Sequence, residues 1–302
     1  MSNLWGIDLG GTKVEGAVLR SAADPQVIYR DRLPTEGHKG YDHIVGQIKK
    51  VVEMMQANLG YKPAKIGIGT PGTLDPATGL MKNSNSTSLN GQPLKNDLEK
   101  LLGMEVAMAN DANCFALAEA NMGAAHEKYP NARVVFGIIL GTGVGGGVVV
   151  DGKVINGLHG IGGEWGHNFL DASGGPCYCG KSGCVEKVLA GPALEKYYAS
   201  ISGTSKNMKE VYAGYKSGTD PFAVQTIERL HHFFGVALSV VLNILDPDVV
   251  VIGGGVGNID TVYTEGLRSL QQHIFNDRVI TPILKPKLGD SAGVFGAAFL
   301  VN

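Results

Sequence analysis

The feature that most limits what this chain can fold into is an echo of itself. "GIDLGGTKVEGAVL" (Gly6 to Leu19) and "GIILGTGVGGGVVV" (Gly137 to Val150) align without a gap. Gly6, Ile7, Leu9, Gly10, Gly16 and Val18 are matched by Gly137, Ile138, Leu140, Gly141, Gly147 and Val149. Each copy reads as strand, glycine turn, strand. Two halves that open with the same glycine-turned hairpin predict two similar α/β domains facing each other across a cleft. The length, 302 residues, suits two domains of ordinary size.

Other elements follow from pattern. "DHIVGQIKKVVEMMQANLG" has helical spacing and a Gly stop at Gly60, and "KIGIGTPG" reads as a short strand. A polar loop rich in Asn and Ser runs from Lys82 to Pro93, and Asp151-Gly152 marks a hairpin turn. A long helix is predicted from Pro221 to Leu245, then a buried strand "DVVVIGGG", and "AGVFGAAFL" as a closing helix. The 44 glycines are clustered rather than periodic, which favours tight turns over collagen or disorder. With a net charge of −2 and no run of Lys or Arg, nucleic acid is not an expected partner. The N-terminus shows no basic and apolar signal pattern, and no apolar run approaches the roughly 20 residues a bilayer requires. A cytoplasmic protein without a membrane span is expected.

Glycine at a hairpin turn lets a ligand approach the backbone, and successive N–H groups make a nest for phosphate. "DLGGTK" adds the Thr12 hydroxyl, the Lys13 ammonium and the Asp8 carboxylate, which suits hydrated Mg²⁺. It is not a Walker A loop, and a strand rather than a helix follows the glycines, so it is not a Rossmann fingerprint. Taken alone it is as well explained as an ordinary turn. Two such turns plus Gly253, Gly254 and Gly255 after a buried strand favour a nucleotide.

"GEWGHNFLDASGGPCYCGKSGC" places His167, Cys177, Cys179 and Cys184 in one short segment. Thiolates and imidazole are the ligands Zn²⁺ favours, and a closed set of four marks a structural site. The alternative, a disulfide between Cys177 and Cys179, closes a very tight ring. Cys114 lies in an apolar helical stretch and reads as a buried core thiol. Glu164 and Glu186 flank the cluster, where they are either surface carboxylates or acceptors aimed at hydroxyls. In "NDANCFALAEA" the bland reading of Asp111 is a helix cap. The other is that its carboxylate does chemistry. His231 and His232, in a helical stretch, read as structural.

Together, "GIDLGGTK", "GTPG", "NDAN", "LGTGVGGG", "GEWGH", "CYCGKSGC-VE" and "VVVIGGGVGN" resemble the ROK family of sugar kinases and sugar-responsive repressors over essentially the whole chain. The resemblance implies an actin-like, ribonuclease H-type α/β fold of two domains with the active site in the cleft. It sets a smaller domain over 1–109 plus 290–302 and a larger one, with the zinc loop, over 110–289. Asp111 would be the catalytic base, besides capping its helix, and Asn110 would bind the sugar. Glu164, His167 and Glu186 would hold hydroxyls near the anomeric end, with Gly72 and Asn90 on the opposite side. His167 would serve both zinc and sugar. Asp8, Gly10, Gly11, Thr12 and Lys13, with Gly141, Thr142 and Gly143, would bracket the ATP phosphates, and Gly253 to Gly255 would lie against the adenosine.

The implied activity is ATP- and Mg²⁺-dependent phosphorylation of the 6-hydroxyl of a hexose, with Zn²⁺ as a structural ion and a homodimer as the assembly. "KNSNSTSLNGQPL" and Trp165 resemble bacterial fructokinases that also accept mannose, so fructose is the expected substrate. Ser88 stands where those enzymes tend to carry an aromatic residue. Glucokinase and N-acetylglucosamine or N-acetylmannosamine kinase remain alternatives. A ROK repressor is disfavoured, because the first strand begins by Leu4 and no helix-turn-helix pattern precedes it. A non-catalytic sugar-binding module is disfavoured by Asp111 and the phosphate turns.

Overall fold

The computed structural model describes residues 3–302, so the part of the N-terminal reading that falls on Met1 and Ser2 lies outside the described residues. In chain order its elements begin with β1 (Leu4–Leu9), β2 (Lys13–Leu19), β3 (Val27–Pro34), α1 (Tyr41–Leu59), β4 (Lys65–Thr70), β5 (Thr73–Leu74) and β6 (Met81–Lys82). Next come α2 (Leu94–Leu102), β7 (Glu105–Asn110), α3 (Asp111–Asn121), α4 (Ala124–Lys128), β8 (Val134–Leu140), β9 (Val144–Val150) and β10 (Lys153–Val154). The last are α5 (Glu186–Leu189), α6 (Gly191–Ser202), α7 (Met208–Ser217), α8 (Pro221–Leu245), β11 (Val249–Gly253), α9 (Glu265–His273), β12 (Ile283–Leu284) and α10 (Ala292–Phe299).

The chain forms two compact units. One takes the chain through Ala132, together with Gly147–Gly163 and Lys287–Asn302, and the other takes Arg133–Gly146 and Glu164–Pro286. These limits differ from the expected 109/110 and 289/290 for a packing reason. α3 lies on α10, where a Cβ on Gly296 would collide with the backbone of Cys114, so α3 groups with the N-terminal sheet.

The first unit is built on a five-stranded sheet of order β3-β2-β1-β4-β7. β1 and β3 are antiparallel to β2, while β4 is parallel to both β1 and β7. β1 and β4 are apolar along nearly their whole length, as strands covered on both faces must be. One face buries Ile44, Ile48, Val51, Val52 and Met55 of α1. α10 crosses β1 and β4 so closely that a Cβ on Gly67 would collide with Ala297 O. α1 ends at Gly60, whose φ of 77° and N–H bond to Gln56 O at 2.8 Å make the expected glycine stop.

In the second unit β8 and β11 are parallel and paired from Val135↔Val249's level to Ile139↔Gly253, with β12 parallel beyond β11 and β9 beyond β8. β11 is wholly buried. α8 spans the residues expected of the long helix. Asp220 caps it by accepting from Phe222 N and Ala223 N at 3.1 and 3.0 Å, and Pro221 takes the first helical position, where its missing N–H costs nothing. Within the Gly147–Gly163 segment of the first unit, the Asp151-Gly152 turn forms as expected, with φ of 50° and 74°, and returns the chain into β10. Among the described residues, no helix is long and apolar enough to cross a membrane.

Candidate active site

In the first unit the parallel register puts the ends of three strands side by side. Asp8 stands opposite Gly69, and Thr70 stands opposite Asn110. Ligand sites of open α/β sheets gather at such carboxyl ends. The chain then turns directly from β7 into α3, and here the expectation is corrected. The cap is Asn110, whose Oδ1 accepts Asn113 N–H at 2.7 Å, and Asp111 is the first helical residue. Two adjacent residues of capping type compete for one position, and the β-region backbone falls on Asn110. Asp111 Oδ1 accepts Ala112 N–H at 2.8 Å and its side chain stays accessible to solvent.

Charge is concentrated around these strand ends. Burial, then the charges of Asp111 and Glu15, push the Asp8 carboxyl up to about 7, with Lys13 opposing. The protein packed around Asp111 also raises its carboxyl, against the hydrogen bonds from backbone N–H groups of its first turn. Glu15, which the sequence reading passed over, is fully buried on β2. Burial pushes it up, but Lys13 Nζ at 2.6 Å and the Arg30 guanidinium bonded to it outweigh that and hold it low. Lys13 is therefore an ion-paired ammonium, not a free one. Cys114 is a buried free thiol behind Asp8 and Asp111, as expected.

The remaining candidates of this unit serve the loop after β6. A Cβ on Gly72, where φ is 76°, would meet Lys82 O at 2.5 Å and Ser84 N at 2.7 Å. Asn90 clasps Ser84 with its amide, accepting from its N–H and donating to its carbonyl, both at 2.9 Å. Gly11 and Thr12 line a cavity of about 730 Å³ with Glu36, His38 and Ser88 among its other walls.

In the second unit the four expected metal ligands converge. One ligand atom from each of His167, Cys177, Cys179 and Cys184 lies within 4.8 Å of all the others. Cys179 Sγ is 3.6 Å from Cys184 Sγ, and Cys177 Sγ is 3.7 Å from His167 Nδ1. Tetrahedral zinc, with bonds of about 2.0–2.3 Å, sets its ligands roughly 3.5–3.8 Å apart, so the donors fit that ion. Disulfide sulfurs stand about 2.05 Å apart, and all four cysteines are free. His167 Nε2 lies 3.0 Å from Tyr178 OH, an outer partner of the kind that orients a ligating imidazole. Arg229 braces the loop by bonding Ser173 Oγ at 2.5 Å while lying between the rings of Tyr197 and Phe233, 4.6 and 4.5 Å from their centres.

Glu186 begins α5 and its Oε2 accepts Val144 N–H at 3.0 Å, so the second glycine hairpin is tied to the segment after the cysteines. Glu164 precedes the short turn Trp165–His167. Trp165 itself is buried edge-on to Phe136, at 5.9 Å between ring centres, with its Nε1 bonded to Gly145 O at 3.2 Å. The ends of β8 and β11 open onto a second cavity of about 770 Å³. Gly141, Thr142 and Gly255 line it, whereas Gly143, Gly253 and Gly254 are not among its walls. Its other walls include Glu195, Asn207, Met208 and Tyr212. Sequence reasoning missed these because α6 and α7 carry no motif. The capping signature Asn207-x-x-Glu210 was the available signal, and both of its hydrogen bonds form. His231 is structural, as expected: it is buried and lies 2.8 Å from Thr261 Oγ1.

The sequence pattern of the ROK family matches residues 4–302. The chain belongs to the ROK family. It is a ROK sugar kinase with the actin-like α/β fold of that family. Its relatives include the N-acetyl-D-glucosamine kinases of Aliivibrio salmonicida, 35% identical, and Yersinia pseudotuberculosis, 37% identical, each aligned over 306 residues and 98% of both chains. The ROK hexokinase of Thermus thermophilus superposes with a TM-score of 0.88 at 31% identity, covering 99% of this chain and 97% of that one.

Proposed function

We propose that this ROK kinase phosphorylates N-acetyl-D-glucosamine on its 6-hydroxyl with ATP as donor. The observation that carries the proposal is 35–37% identity, over 98% of the chain, to kinases of that name. Fructose, favoured by the Lys82–Leu94 loop and Trp165, gives way. Trp165, which carried part of that likeness, is packed in the core against Phe136.

In this reading Asp111 takes the proton of the 6-hydroxyl as its oxygen bonds to phosphorus. A carboxyl held above its ordinary range by the protein around it is the stronger proton acceptor, which suits a general base. Asn110, Glu164, His167 and Glu186 contact the sugar, His167 through the Nε2 that Tyr178 OH holds in the sugar's absence, while Gly72 and Asn90 shape the Ser84 segment beside it. Gly10 to Lys13 and Gly141 to Gly143 hold the phosphates, Asp8 holds hydrated Mg²⁺, and Gly253 to Gly255 lie along the adenosine. Mg²⁺, when bound, supplies charge neutralisation for the phosphates. His167, Cys177, Cys179 and Cys184 hold a structural Zn²⁺ that stiffens their loop. Buried sugar hydroxyls left unpaired cost about 1–3 kcal/mol each, which is the reason a rigid set of acceptors is worth a metal. Exposed Ile244, Phe275 and Ile280 of the second unit support a homodimer.

The test is product identification. Protein incubated with ATP, Mg²⁺ and N-acetylglucosamine is analysed by ³¹P and ¹H NMR. A 6-phosphate is expected; phosphate on another hydroxyl, or none at all, contradicts the proposal.

A further inference from the structure

The glycine turn between β1 and β2 is gripped by one residue from outside the hairpin. Thr35, buried just beyond the end of β3, donates its backbone N–H to Thr12 O at 3.0 Å. It also donates its hydroxyl to Gly10 O at 2.6 Å. A trans peptide points its N–H opposite to its C=O, and no peptide bond here is cis. Drawing the Gly10 carbonyl toward Thr35 therefore turns the Gly11 N–H away from it. Gly11 is exposed, and a Cβ there would meet nothing within 4 Å. A side-chain hydroxyl thus sets the direction of a backbone donor at an open turn. Without it, the Gly10–Gly11 peptide has the free rotation that glycine allows.

We infer that Thr35 is a positioning residue of the phosphoryl-donor site, its hydroxyl fixing the Gly10–Gly11 peptide so that the Gly11 N–H faces the phosphates of ATP. The inference rests on the reading of residues 10–13 as the phosphate turn. It distinguishes the Thr35 hydroxyl from a merely structural one, because its loss weakens the donor and leaves the sugar alone.

The test is steady-state kinetics on Thr35→Val, which is isosteric and lacks the hydroxyl, and Thr35→Ser, which keeps it. Thr35→Val is expected to raise KM for ATP on the order of tenfold, with KM for the sugar within about twofold, and Thr35→Ser to return KM for ATP close to wild type. If the valine variant does not fold, Thr35→Ala against Thr35→Ser makes the same comparison. An unchanged KM for ATP, equal rises in both KM values, or a loss that serine does not restore overturns the inference. Lys13→Met separates the two levels. If it raises KM for ATP while Thr35→Val does not, only the role of Thr35 falls; if neither variant moves it, the phosphate-turn reading falls as well.

Discussion

At the tip of the first hairpin Gly10 donates its N–H to Lys13 O at 2.9 Å; at the tip of the second Gly141 donates to Gly143 O, also at 2.9 Å. The two tips then diverge. The first is followed by Lys13 and Glu15, and its strand carries Asp8 one residue before its end, beside Asp111. The second has no charged residue from Gly141 to Gly147 and acquires a carboxylate from Glu186, through Val144 N–H. One backbone device thus appears twice, with ionisable groups built around one copy and a cavity walled by α6 and α7 beside the other. Under the proposed function the difference is the one phosphoryl transfer demands, with proton acceptance and charge balance at the reacting atoms and shape at the base of the nucleotide.

Breaking the charged copy should have the largest effect. Asp111→Asn is expected to lower kcat by about 10²–10⁴-fold while sugar binding and thermal stability stay near wild type, measured by turnover and calorimetry. Near-normal turnover would remove Asp111 from the mechanism. Next in size is the loop that carries Glu186 at its end. Metal analysis should find one zinc per chain, and Cys184→Ser should lose it and lower Tm by roughly 5–10 °C. A metal-free native protein of undiminished Tm would contradict the zinc assignment.

Asp8 offers a prediction of opposite sign. Its carboxyl sits near 7 in the fold against 3.8 ordinarily, so the folded chain binds the extra proton and stability falls as pH rises through that window. Asp8→Asn should abolish turnover yet raise unfolding free energy at pH 8 by up to about 4 kcal/mol, and by less at pH 5, as read from urea titrations. A variant that is less stable than wild type at pH 8 would refute the charge account. The smallest effect belongs to the neutral copy. Met208→Ala, in the wall of the second cavity, should raise KM for ATP by about threefold and leave the pH profile unchanged.

Local pattern revealed the elements whose signals lie within a few residues. The hairpins, α1 with its Gly60 stop and α8 behind Asp220-Pro221 were all readable, and so was the His167–Cys184 ligand set. What depended on distant partners was not. Choosing between Asn110 and Asp111 as cap required the backbone angle at the strand end. Glu15 carries no motif, and only the pairing of β2 with β3 brings Arg30 of the neighbouring strand to close its ion pairs. Glu119 carries no local signal, yet it is fully buried and accepts N–H groups from Ala124, Lys287 and Leu288, the last 169 positions away. Trp165 carried part of the fructokinase resemblance, whereas its indole belongs to the core against Phe136.

The central claim is that this ROK chain is an N-acetylglucosamine kinase. The most direct measurement is kcat/KM with ATP and Mg²⁺ for N-acetylglucosamine, fructose, mannose, glucose and N-acetylmannosamine under one set of conditions. The account predicts the highest value for N-acetylglucosamine, at least tenfold above fructose, which is about 1.4 kcal/mol of discrimination. A higher value for fructose would contradict it.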